Sequence, residues 1–370
     1  MDSLMDTSLR LDRGSAVPAA PAPRAAPLKV ADDKAMLRAA ADLTRDLVQP
    51  RPRVYWADLI ASAAVGYGAL AVSVSVASTG WAIAAAVVAM LGLYRGLSFI
   101  HEVSHMKHAA LPGFRHGWNA LIGVPMLTPS FMYEGVHNLH HAKTRYGTIE
   151  DPEYLPLALM KPWTLPVFIF ISALAPIALL FRFAVLSPIS LLSARLRTAV
   201  VERYSALAIN PQFRRRAPEG EARRYWDRVE TAASLWALAL IAMTVTGVLP
   251  LRAFLTFLGV ASGVAVVNQV RTLVAHLWEN DGEPMSVTAQ YLDTVNVPPP
   301  ALLPALWAPV GLRYHALHHL LPGLPYHALG EAHRRISAVL DAQSVYHKAS
   351  YPGLPGLVAR IARSTMVVRR

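Results

Sequence analysis

The sequence predicts an all-α integral membrane protein: two transmembrane helical hairpins, interfacial helices, and a cytoplasmic helical cap that carries clustered histidines. Three observations predict it. The 370-residue chain is 54% hydrophobic and 16% charged, with mean hydropathy +0.33, whereas soluble domains carry about 25% charged residues. Two pairs of apolar stretches, 57–78 with 81–100 and 231–250 with 253–274, each approach the roughly 20 residues that cross a bilayer. All 14 histidines fall outside these stretches, and nine of them make up one H-x-x-x-H group, two H-x-x-H-H groups and one single position.

The elements follow in order. Residues 1–30 carry Pro18, Pro21, Pro23 and Pro27 among alanines and read as a disordered leader. No apolar core follows the first basic residues, so the leader is not a secretory signal. Residues 31–54 begin with a helical period, with Asp32 or Asp33 as N-cap, and read as an interfacial helix. The first hairpin turns at Ser78-Thr79-Gly80. Residues 118–133 are apolar but broken by Pro125 and Pro129, which suits an interfacial or re-entrant segment. Residues 163–192 are apolar but hold Arg182, Pro166, Pro176 and Pro188. A single crossing there would put the last histidine group on the opposite side from the others. The segment is therefore expected to enter and return, or to lie along the interface. Residues 195–230 hold nine arginines against five acids and belong on the cytoplasmic side. The second hairpin turns near Pro250. Pro298-Pro299-Pro300 stops any helix before the last histidine group, 330–343 is one more amphipathic stretch, and 341–370 reads as a basic tail. Residues 55–340 then form one membrane-embedded body, with termini and histidines cytoplasmic.

Charge and composition exclude several chemistries. The net charge is +11 with pI near 10.0. The arginines border apolar spans and no nucleic-acid module accompanies them, so no nucleic-acid partner is expected. The chain has no cysteine, which removes disulfides, thiolate zinc sites, iron–sulfur ligation and Cys nucleophiles. Any metal must be held by imidazole, carboxylate or water. Four ligands saturate a structural zinc site. Nine converging histidines therefore point to two metal ions.

The histidines are His101 and His105; His137, His140 and His141; His315, His318 and His319; and His276. Residues three and four apart share a helix face, so each group is expected to aim its rings at one point. Glu102 directly follows the first ligand and can accept a hydrogen bond from a neighbouring ligand's free N–H. His108, one turn further on, is a supporting or surface residue. Glu150, Asp151 and Glu153 follow the second group closely, and Asp151 is the supporting acceptor expected there. His276 closes the last span on the face where the other eight gather. Trp118, Phe131, Tyr133, Trp307 and Tyr314 suit an aromatic belt or a substrate tunnel. His101-Glu102-Val103-Ser104-His105 also matches the zinc-protease pattern H-E-x-x-H, which leaves six clustered histidines unexplained. The spans 59–78, 81–94 and 232–250 hold no acid or histidine, which argues against a metal transporter.

The order of these groups after two hairpins resembles the integral-membrane fatty acid desaturases over about residues 55–340. The resemblance rests on HEVSH, HNLHHAKTRYGTIEDPE and HALHHLLPGLPYHALGEAHRRI, the last similar to bacterial acyl-lipid members. It implies that the eight grouped histidines, with His276 of VRTLVAHLWENDG as the ninth, bind two iron ions, and that no catalytic residue is needed beyond them. It implies O2 as co-substrate and a fatty acyl lipid as substrate. No H-P-G-G haem-binding motif is present, so electrons are expected from a separate protein, a ferredoxin or similar. Some members carry an asparagine four residues before the ninth histidine that holds a metal-bound water; Thr272 stands there. The implied reaction is insertion of a double bond. Lipid hydroxylation, or carotenoid ketolation or hydroxylation, is the alternative on the same ligands, because removal of one hydrogen can be followed by loss of a second or by transfer of a hydroxyl.

Overall fold

The computed structural model describes residues 30–366, so the leader lies outside the described residues. Among these the regular structure is helical, with only isolated bridges between extended residues. The first helix, α1 (Lys34–Asp42), starts at Asp33, whose side chain accepts from the backbone N–H of Ala35 and Met36. Asp32 is not the cap; it accepts from the N–H of Thr288. Met36 and Ala40 are buried with Tyr346, Leu317 and Ile336. The predicted interfacial helix is therefore shorter, and it docks on the histidine-bearing cap.

The first hairpin is α2 (Pro52–Ser75) and α3 (Thr79–His105). The two helices touch at Gly66 and Gly92. A Cβ on Gly92 would lie 2.9 Å from the Gly66 Cα, so any side chain there would force the helices apart. At 27 residues α3 is about 40 Å long, against roughly 30 Å of hydrocarbon. The surplus carries His101 and His105 out to the membrane surface. Within the hairpin Arg95 makes two hydrogen bonds to the Asp58 carboxylate, at 2.7 and 2.5 Å. That pairing makes a charge at this depth tolerable.

Residues 164–190 form one helical stretch, α4 (Thr164–Ser190), long and apolar enough to cross a membrane. Its prolines do not stop it. The i→i−4 ladder that Pro176 and Pro188 interrupt tightens to a 3-10 turn over Ile171–Leu174 and widens to a π turn over Arg182–Leu186. Both ends nevertheless reach the histidine side. Phe168 packs edge-on to Trp278, two residues past His276. Arg182 donates to Tyr204 O and Ser205 Oγ and pairs with Glu230. Ser205 is tied through Arg215 to Glu134, beside the second histidine group. Between these ends Ala173 meets Ser262, midway along the last span. The helix runs past the second hairpin without doubling back on itself, and its length and apolarity would suffice for a crossing, where the sequence predicts a re-entrant or interfacial segment.

The second hairpin is α5 (Gly220–Val245) and α6 (Leu251–Ala275). Arg252, just past its turn, donates to Val76 O in the turn of the first hairpin at 3.1 Å. The two turns thus lie on one side, and the histidine-bearing ends of α3 and α6 lie on the other. Trp81, Phe170 and Trp163 are exposed on the outer surface, where a bilayer would cover them. Trp118, Phe131, Tyr133 and Tyr314 are buried instead. Trp118 donates to Gly96 O and Phe131 stacks on Trp226, so these aromatics brace the cap and are not the belt.

The cap continues with α7 (Val287–Asp293), α8 (His315–Leu320), α9 (Leu329–Val339) and α10 (Leu354–Met366). Packed structure extends beyond residue 340. Tyr346 and Ala349 lie in the core shared with α1, and Leu357 and Ile361 in the core shared with α6. Much of the basic tail is thus part of the body.

Candidate metal centre

Four separate elements deliver the nine histidines to one place. His101 and His105 stand on the last turn of α3. His137 and His140 form a short helix, His137–His140, with His141 at its end; His315, His318 and His319 sit on α8; and His276 is the first residue beyond α6. The structure gathers them around two points. His101, His105, His137, His141 and His318 form one group, and His140, His276, His315 and His319 the other.

This corrects the expectation that each sequence group aims at a single point. Successive helical residues are about 100° apart, so i and i+4 share a direction while i+3 and i+4 diverge. Each H-x-x-H-H therefore serves both points. His137 and His141 face the first group while His140 faces the second; His315 and His319 face the second while His318 faces the first.

The donor spacing fits metal ligation. His318 Nε2 is 3.0 Å from His105 Nε2 and 3.1 Å from His141 Nε2, and His141 Nε2 is 3.1 Å from His137 Nε2. In the second group His315 Nε2 is 3.0 Å from His276 Nε2 and 3.2 Å from His319 Nε2. Two donors at right angles, each about 2.1 Å from a metal, are about 3.0 Å apart. Both ring nitrogens of His101 are buried without a hydrogen-bond partner. A buried polar group left in that state costs about 1–3 kcal/mol, which a cation between the rings would offset. The residues present thus fit a pair of metal ions.

An outer layer of acceptors fixes the rings. The Asp151 carboxylate, fully buried, lies 2.9 Å from His140 Nδ1 and also accepts from the N–H of Gly147. Asp151 is thus a direct hydrogen-bond neighbour of one clustered histidine. Glu153 is 2.7 Å and the Tyr133 hydroxyl 2.9 Å from His137 Nδ1. Tyr146 O–H lies 2.9 Å from His276 Nδ1 and donates to Asp293 at 2.7 Å. A carboxylate on Nδ1 draws the ring proton outward and leaves the Nε2 lone pair facing inward. Burial holds His137, His141, His276, His315, His318 and His319 well below the ordinary histidine value, the neutral form a metal requires. Burial also lowers His140, but the Asp151 carboxylate outweighs it and the net shift is upward. Burial raises Glu153 and Asp293 to about 7.

One supporting assignment is corrected. Glu102 does not serve a ligand: its nearest oxygen is 3.9 Å from His101 Nδ1. The residue after a ligand points about 100° away around the helix, and there Glu102 accepts from Tyr55 O–H and from the N–H of Tyr326. His108 is exposed and accepts from Arg115, outside both groups. Thr272 makes no hydrogen bond to a histidine among the described residues. Tyr133, Tyr146, Glu153 and Asp293 were not singled out as ring partners. Glu153 lay within reach as a carboxylate close after the second group, but Asp293 stands on α7 and carries no local signal.

Two cavities meet the rim of the five-histidine group at His105. One, of about 1040 Å³, is lined by Lys107, Arg115, Arg215 and Phe131 among others. The other, of about 620 Å³, runs between Val48, Met106, Leu320 and Leu321. Comparison with known proteins agrees with this architecture. A family model described as fatty acid desaturase matches residues 79–351. The ceramide hydroxylase of Caulobacter vibrioides (strain NA1000 / CB15N) is 52% identical over 326 residues, 88% of this chain and 93% of that protein. With five apolar helices, paired histidine groups and this match over most of its length, the chain belongs to the fatty acid desaturase family of histidine-box membrane proteins.

Proposed function

We propose that the protein is an O2-dependent lipid hydroxylase acting on an N-acylated, ceramide-type lipid through two iron ions held by the nine histidines. The observation that carries this reading is the 52% identity, over 88% of this chain, to a protein named ceramide hydroxylase. That similarity favours the hydroxylation alternative over the double-bond reaction implied by the family resemblance alone.

In this reading His101, His105, His137, His141 and His318 hold one iron, and His140, His276, His315 and His319 hold the other. When bound, the pair supplies the oxygen activation that an unreactive C–H bond requires. The balance is R–H + O2 + 2 e⁻ + 2 H⁺ → R–OH + H2O, with the two electrons from a separate carrier protein. The chain's own residues orient and exclude. Asp151, Glu153 and the Tyr146–Asp293 pair keep the rings turned inward. Trp278, Tyr154 and Leu273, all buried, close water out behind His276. The lipid approaches from the bilayer, and the site faces the cytoplasm of a bacterial inner membrane.

The test is mass spectrometry of lipids from cells that make an N-acyl lipid and express this chain or its His318→Ala variant. A lipid one oxygen heavier than its parent, absent with the variant, is the expected outcome. A lipid two hydrogens lighter would return the reading to desaturation.

A further inference from the structure

Three arginines, Arg95, Arg182 and Arg271, lie within apolar helices beside the cap, and they are not alike. Arg95 is paired with Asp58 and Arg182 with Glu230. Arg271, on the last full turn of α6, is paired with no acid among the described residues. One of its terminal nitrogens donates to Asn268 Oδ1 at 3.3 Å, and its Nε–H is buried with no partner. Arg252, the other charge on this helix, is exposed at the far end and reaches a backbone carbonyl. An unpaired cation inside a span is costly and marks a functional position. A guanidinium presents five donors in a fixed fork and accepts nothing.

Arg271 also faces the metal centre. It stands five residues before His276, about 7.5 Å of helix rise. Burial is the larger influence on His276, His315 and Glu153, but the charge of Arg271 bears on all three, and the Tyr94 hydroxyl is its hydrogen-bond neighbour. The fork therefore sits on the α6 side of the histidines, with its buried Nε–H the donor left without a partner.

We propose that Arg271 is a positioning residue that binds the acyl carbonyl oxygen of an amide-linked lipid and so selects the carbon to be oxidised. The inference rests on the lipid-hydroxylase reading and adds the substrate's point of attachment. In an N-acyl lipid the amide carbonyl is the strong neutral acceptor, and it stands at the head of the acyl chain. Held one to two helical turns from the metal centre, it leaves only the first few carbons of that chain within reach. The hydroxyl then falls close to the carbonyl. A free fatty acid carboxylate offers the same oxygen chemistry, so the test compares both.

Iron-loaded protein without reductant is titrated with an N-acyl lipid and, separately, with a free fatty acid of equal chain length. Binding is followed by tryptophan fluorescence in micelles for wild type, Arg271→Met and Arg271→Lys. A lost charge-assisted hydrogen bond predicts affinity for the N-acyl lipid about ten- to a hundredfold weaker in the methionine variant, with iron content unchanged. The lysine variant keeps the charge without the fork and should fall between the two, which keeps the test alive if the methionine variant does not fold. On addition of reductant, wild type should place the hydroxyl at one position near the carbonyl, and the variants should spread it along the chain. Equal affinity for the N-acyl lipid in wild type and in every folded variant would overturn the proposal, as would preferential loss of fatty-acid binding alone. Absence of hydroxylated product from wild type with these affinity differences intact would count against the hydroxylase reading and leave Arg271 as the lipid anchor.

Discussion

The two histidine groups are built from the same motifs but are enclosed differently. In the group of four, every ring is buried, and two of the four have a carboxylate-backed partner on Nδ1: Asp151 on His140, and Tyr146 with Asp293 on His276. In the group of five, His105 and His141 are only half-buried, both cavities end at His105, and the one carboxylate partner is Glu153 on His137. One side of the centre is braced and closed, the other open to the cap surface. Ligand identity is therefore not what distinguishes the two positions. The surrounding shell distinguishes them, and it predicts that the closed position holds metal more tightly while the open one exchanges.

The largest test of that difference is removal of a ligand. His276→Ala should lower bound iron by one ion per chain and abolish product, measured by metal analysis and by lipid mass spectrometry. His105→Ala, on the open side, should abolish product too, with its remaining iron resistant to chelators. A smaller effect is expected from the outer shell. Asp151→Asn leaves the ligands in place but loses the charge on His140 Nδ1, and should weaken metal binding or activity about ten- to a hundredfold. If the same loss appears in the five-group iron instead, the comparison is wrong.

Acid should separate the groups by a different route from access. Metal binding requires neutral imidazole, so protons compete as pH falls below the ordinary histidine value of 6.5. Buried rings have depressed values in the folded protein, so they stay neutral as pH first drops, and retention is lost only further down. His140 is the exception: beside Asp151 its shift is upward, so it takes up a proton before the other rings. Chelator-accessible iron should therefore rise in two steps as pH falls, with the first at higher pH from the four-histidine group that contains His140; one simultaneous release of both irons would remove the distinction. The smallest effect belongs to His108→Ala. Its ring is exposed and outside both groups, so iron content and turnover should stay within about twofold of wild type, as surface substitutions generally do.

Much of this arrangement is legible in the chain. The four spans of the two hairpins follow from hydropathy, whereas α4, expected to turn back or lie along the interface, is a fifth helix long and apolar enough to cross. The division of each H-x-x-H-H between the two histidine groups also lies in the spacing, since i+3 and i+4 diverge by about 100° on any helix. Reading each group as one focus overlooked that geometry. Glu102 misled for the same reason: adjacency to His101 in sequence turns it away from the ring, toward Tyr55 and Tyr326. Asp293 and Tyr146 were out of reach because their meeting at His276 depends on α7 packing beside the loop after the second group, a long-range contact without a local pattern. Alkene or alcohol formation is not written in the ligands at all, and here similarity over most of the chain carries what spacing does not.

The most direct test of the central claim uses purified iron-loaded protein, an N-acyl lipid, an electron donor and isotopically heavy O2. The account predicts a lipid one oxygen heavier, with the heavy isotope in the new hydroxyl, formed in step with electrons consumed. A product two hydrogens lighter that carries no label would contradict it.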